Sequence, residues 1–165
     1  MKQVLIIAAL VLVAWYSNAQ GYKQAAGIRA SWISPGFEYR YYTSDMHSLR
    51  GLLALRDRGL QFHALSEFYQ YDLFSFSNQI LFFYGAGLHG GFENWDEVTE
   101  VGWRKQIETH TSWVAGIDGL IGVEYVFYDA PVKLGLEAKP FMDVFSHDGI
   151  RFNLYDFAFT FKYLF

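Results

Sequence analysis

The chain predicts an all-β fold, an eight-stranded antiparallel up-and-down transmembrane β-barrel, from three observations. First, its closing stretch alternates strictly: Tyr155, Phe157, Phe159, Phe161, Tyr163 and Phe165 occupy every second position. Leu154, Asp156, Ala158, Thr160, Lys162 and Leu164 lie between them. A period of two sends these sets to opposite faces of a strand. Second, seven earlier segments repeat that design between turn signals. Third, one fifth of the chain is aromatic, yet mean hydropathy is only +0.07. Apolar residues alternating with lumen-facing polar ones produce that combination.

Taken in order, the first strand covers residues 25–34, with Ile28, Ala30 and Trp32 opposite Gly27, Arg29 and Ser31. Pro35-Gly36 is a turn signal. Phe37, Tyr39 and Tyr41 then alternate with Glu38, Arg40 and Tyr42. The third strand, residues 48–57, is weaker because Leu52 falls on the polar side. Arg58-Gly59 is expected to turn the chain into a fourth strand, residues 60–69. Residues 70–78 read as a loop. Residues 80–92 form a long fifth strand whose inward positions include Gly85, Gly87, His89 and Gly91, leaving room for large side chains across a narrow lumen. Residues 93–112 carry five acidic residues and no clear period, so they read as a long irregular loop. The sixth strand covers 117–128, the seventh 132–139, and a turn at 146–149 leads into the closing strand.

Parity sends Arg29, Arg40, Arg50, Arg56, Lys133, Lys139 and Lys162 inward, together with Glu38, Glu67, Asp118, Glu124, Glu137, Asp143 and Asp156. The two signs balance, as a closed lumen crossed by ion pairs requires. A ring selecting ions would hold one sign in excess. Eight strands enclose an interior that side chains alone can fill, which argues against an open pore.

Chemistry-bearing patterns are few. His110 and Ser112 stand two apart and are the candidate catalytic pair. His63, Ser66 and Glu67 cannot form a triad, since parity places Ser66 on the opposite face from the other two. His89 reads as a hydrogen-bonding lumen residue. Asp96, Glu97 and Glu100 lack the glycine and spacing of a calcium loop, so no metal site is expected. No cofactor is expected either.

The N-terminus has the layout of a secretory signal peptide: Lys2, an apolar run from Val4 to Trp15, then Ser17-Asn18-Ala19. Residues 1–19 are therefore expected to be cleaved, leaving 20–165 as the barrel. Removing Lys2 from the 13 basic residues leaves 12 against 17 acidic ones, a net charge of −5 that offers nucleic acid no basic stripe. With no cysteine in the chain, disulfides and thiolate metal sites are excluded.

On these patterns the chain resembles the small eight-stranded outer-membrane barrels, similar to OmpX-like proteins and to the membrane domain of OmpA-like proteins. The terminal strand carries the specific part: Phe157, Phe159, Phe161, Tyr163 and Phe165 resemble the signal read by the β-barrel insertion machinery. The resemblance implies a monomer in the bacterial outer membrane, with lipid and that machinery as partners. It implies a structural or surface-interaction role, with residues 93–112 outside the cell as the surface for an extracellular ligand or protein. Two other readings stay open. One is a lipid-modifying enzyme similar to lipid A deacylases, using His110 and Ser112. The other is a soluble, lipocalin-like barrel whose aromatic face points inward onto a hydrophobic ligand.

Overall fold

The computed structural model describes residues 22–101 and 104–165, with the stretch 97–107 as backbone only. The expected leader, residues 1–19, lies outside the described residues. Among those described there are ten strands and no helix: β1 (Gln24–Ser31), β2 (Gly36–Ser44), β3 (His47–Arg56), β4 (Gly59–Gln70), β5 (Ile80–Val101), β6 (Arg104–Val126), β7 (Val132–Ala138), β8 (Phe141–Phe145), β9 (Arg151–Asn153) and β10 (Phe157–Leu164).

The ten strands make eight staves of a closed antiparallel barrel. Consecutive strands pair from β1 to β6, β6 pairs with β7, and β7 pairs with β10. β10 returns to β1, from Ala25 opposite Leu164 to Ser31 opposite Ala158, and closes the ring. β7 and β8 are halves of one stave, broken at Lys139–Pro140. Proline has no N–H for the ladder. β6 accordingly bonds β7 through Ile121–Val126 and β8 through Ala115–Asp118, and only the Pro140 carbonyl, accepting from Gly119 N at 2.7 Å, bridges the gap.

The closing stave is broken at the same level. Residues 154–156 leave the ladder between β9 and β10, while Lys139 N donates to the Asp156 carbonyl at 2.9 Å. The uninterrupted closing strand expected from the alternation is therefore corrected. Leu154, expected inside, is half exposed, and regular alternation resumes at Phe157.

Three further expectations change. Residues 93–112 are not an irregular loop: β5 and β6 run through them as one hairpin, paired from Ile80–Tyr125 to Val101–Arg104. Neighbouring ladders stop lower, at Leu60–Phe92 on one side and Ala115–Phe145 on the other, so the hairpin tip stands clear of the barrel. β1 ends at Ser31 rather than Ser34. The β3–β4 turn is Asp57-Arg58, both left-handed at φ 50° and 53°, with Gly59 already in the strand. Positive φ at both central residues is what a two-residue hairpin needs to match strand twist.

The interior is packed. Gly122 leaves space for Phe83, since a Cβ there would lie 2.6 Å from the Phe83 ring. Leu52, which spoiled the third strand's polar pattern, does point inward. It joins Ala54, Leu65, Tyr69, Leu81, Phe83 and Leu120 in an apolar cluster carried by β3 to β6. The lumen thus holds a hydrocarbon cluster against β3–β6, while its charges come from all round the barrel: Arg29, Glu38, Arg40, Lys133, Glu137 and Lys162 from β1, β2, β7 and β10, and Arg50, Arg56, Glu67, Asp118 and Glu124 from β3, β4 and β6.

Candidate functional site

Alternation in eight staves converges on one axis, and the charged side chains meet there. Arg29, Arg40, Arg50, Arg56, Lys133, Lys139 and Lys162 are all buried, as are Glu38, Glu67, Asp118, Glu124, Glu137, Asp143 and Asp156. They form one connected chain. At the end carrying the termini, Lys133 donates to the Tyr42 hydroxyl at 3.1 Å and lies 3.9 Å from Glu124. Glu124 also holds Arg40 at 2.6 Å and Lys162 at 2.7 Å. Glu38 bridges Lys162, at 3.1 Å, to Arg50. Arg40 and Arg50 share Glu67 at 2.8 and 3.2 Å. Glu137 accepts from Arg50 at 2.8 Å and from Arg29 at 2.7 Å, and Arg29 continues to Asp156 at 3.1 Å.

Toward the hairpin end the chain passes through histidines. Lys139 lies 3.4 Å from Asp156 and 3.3 Å from Asp118. Asp118 contacts His63 Nδ1 at 2.8 Å and His89 Nδ1 at 3.2 Å, and His89 Nε2 reaches Asp143 at 2.8 Å. His63, His89 and Asp118 are, among the described residues, the one group of three that could hold a metal ion, with donor atoms within 4.8 Å of one another. Lys139 competes for the same Asp118 oxygen as His89. Seven buried Lys and Arg side chains face eight buried carboxylates, Glu93 included.

Arg151, which the alternation did not single out, closes the hairpin end. Its guanidinium contacts Asp143 at 2.8 Å, Glu93 at 2.6 Å and Asp57 at 3.0 Å, tying β8 and β5 to the β3–β4 turn. A polar cavity of about 300 Å³ opens beside it, lined in part by Trp95, Asp96 and His147. Arg58 donates to Asp96 at 2.7 Å and the Thr109 hydroxyl donates at 2.9 Å. These bonds hold the Asp96 carboxyl below the usual carboxylate range. The side chains of Glu97 and Glu100 lie outside the described ones.

His110 and Ser112 face the same side of β6, in register with Trp95 and Glu93. Two positions along a strand separate their Cα atoms by about 7 Å. The His110 ring stacks on Trp95, centroids 4.8 Å apart. Phe157, Phe159, Phe161 and Phe165 are exposed on the outer wall and Tyr163 is half-buried there.

That wall is aromatic at both ends. Tyr39, Tyr41, Phe68, Tyr84 and Tyr125 ring the terminus end, while Trp32, Phe37, Phe92 and Trp113 ring the other, all exposed. Between these rings the outward side chains of the described strands include no Asp, Glu, Lys or Arg. An outward apolar notch of about 1020 Å³, lined by Trp32, Phe82, Leu136, Tyr155 and Phe157 among others, adjoins the broken staves.

Sequence reasoning missed one group on this wall. His47 and Ser66 stand nineteen positions apart on paired strands, and His47 Nε2 lies 2.8 Å from Ser66 Oγ. His47 Nδ1 lies 2.5 Å from Thr43 Oγ1. Parity put Ser66 outward, but only the β3–β4 register shows which residue meets it.

No protein-family model matches the chain, and no curated protein matches it. Among solved structures, the N-terminal β-barrel domain of Pseudomonas aeruginosa OprF is similar, with a TM-score of 0.49 and 12% identity over 88% of this chain and 100% of that one.

Proposed function

We propose that the chain is an integral bacterial outer-membrane β-barrel with a structural or surface-interaction role, a closed interior and no open pore. The observation that carries this is the inversion of polarity: the barrel buries its charged side chains inside, and among the described strands none stands on the outer wall between two aromatic rings. A soluble barrel would hydrate its outer wall, whereas apolar bands flanked by aromatic girdles match a bilayer. Outward-pointing aromatics also favour this reading over a soluble carrier with an aromatic lumen. The packed ion-pair chain and the apolar cluster argue against conduction. The hairpin beyond Phe92 and Trp113 is then the surface offered to extracellular partners.

Fractionation with heat-modifiable gel migration tests the placement. The protein should enter the membrane fraction and migrate faster when unheated. Phe159→Arg should lower stability in lipid vesicles by about 2–4 kcal/mol, the cost of a mid-membrane arginine. Recovery in the soluble fraction without detergent, or tolerance of Phe159→Arg, would refute the membrane reading. Proteolysis of intact cells should cut first within residues 93–112.

A further inference from the structure

We infer that Ser66, His47 and Thr43 form a serine–base site on the outer wall that acts on acyl esters of glycerophospholipids in the leaflet at the terminus end. The inference rests on the proposed membrane placement.

The geometry carries it. Thr43 Oγ1 lies 3.2 Å from the His47 carbonyl and 2.5 Å from His47 Nδ1, and its one proton can go to either. In the tautomer proposed, the carbonyl receives it and Nδ1 donates to Thr43. Nε2 then accepts from the Ser66 hydroxyl at 2.8 Å. A nucleophile bonded to a base that is itself oriented by a third group is the arrangement of covalent acyl transfer. Ser66 is flanked on β4 by outward Ala64 and Phe68, and its neighbours across the ladders are Leu49 and Ala86. Ser66 and His47 are both half-buried, so the site borders whatever covers the wall. It also lies near Tyr41, Phe68 and Tyr84, the girdle where a bilayer places its headgroups and ester carbonyls.

In the reaction, Ser66 Oγ bonds to the ester carbonyl carbon as its proton passes to His47 Nε2. The bond from that carbon to the glycerol oxygen breaks, and the oxygen takes the proton from His47, releasing a lysophospholipid. Water then gives a proton to His47 and its oxygen to the acyl carbon. The Ser66 ester breaks, the proton returns to Ser66 Oγ, and a fatty acid leaves. Ladders on both sides of Ser66 engage the surrounding backbone amides, leaving the oxyanion to water and headgroup donors. Reaction is therefore expected to be slow, and covalent capture is the better readout.

The test uses the mature protein folded into phosphatidylethanolamine–phosphatidylglycerol vesicles, treated with an alkyl fluorophosphonate, with insertion followed separately by heat-modifiable migration. Peptide mass mapping of the unsubstituted chain should place the label on Ser66, so no variant has to fold. Labelling and fatty-acid release should fall about 100-fold in His47→Gln, the general-base contribution. Thr43, a positioning residue, should lose about tenfold as Thr43→Val and recover as Thr43→Ser, a rescue that depends on the hydroxyl. An inserted barrel whose Ser66 takes no label, or whose label sits on Ser112, overturns the inference and leaves the membrane reading intact. Failure to insert overturns both.

Discussion

Glu137 is the point at which the buried ion-pair chain can be tested most directly. Its carboxylate is buried and accepts three charged hydrogen bonds, from Arg29 Nε at 2.7 Å and from the two terminal nitrogens of Arg50 at 2.8 and 2.9 Å. Glu137→Gln keeps the shape and removes the charge. Each guanidinium keeps another anion, Asp156 for Arg29 and Glu38 with Glu67 for Arg50. The cost is therefore expected near the lower end of the range for breaking a buried pair, about 3 kcal/mol. Urea unfolding in lipid vesicles, followed by tryptophan fluorescence, measures it. Adding Arg50→Gln to Glu137→Gln should cost less than the two single losses combined, with a coupling of about 1–3 kcal/mol. A single-variant loss below about 0.5 kcal/mol, the usual effect of a surface change, would refute the view that these charges hold the lumen together.

Two other outcomes follow from the structure. Gly122→Ala should destabilise the barrel by about 1–3 kcal/mol, because the new methyl meets the buried Phe83 ring and the Leu136 carbonyl, each at 2.6 Å; an unchanged unfolding midpoint in urea would contradict the packing. Asp96 titrates below the ordinary carboxylate value through its bonds to Arg58 and Thr109. Its tether between the β3–β4 turn and the hairpin is thus complete above that ordinary value and is lost only as pH falls through the lower, folded one. NMR titration of the Asp96 carboxyl should show the depressed midpoint, and Arg58→Gln should move it back up; no movement would remove Arg58 as the cause.

Legibility differed along the chain for physical reasons. Strand alternation is local, so the parity of Arg29, Glu38 or Lys162 can be read from immediate neighbours. Pairing is not local: Arg29 and Glu137 are 108 positions apart, and register decides that they touch. His47 and Ser66 stayed hidden for the same reason. Residues 93–112 lacked a visible period because a hairpin clear of the barrel has no single wet or dry face to impose one. Pro140 was legible as a residue, but its effect on the neighbouring stave came through the Lys139–Asp156 bond between the two. Arg151 lay beside a turn, where alternation assigns no face.

By itself the sequence determined an all-β chain of alternating staves, the face on which each charge lies and the aromatic closing strand, because side-chain direction in a strand depends only on position. Tertiary structure decided which charges pair, where two staves break, that an apolar cluster packs among the lumen charges, and that a serine meets a histidine on the outer wall. Each of those depends on register between distant strands, which closure of the barrel sets and no local pattern records.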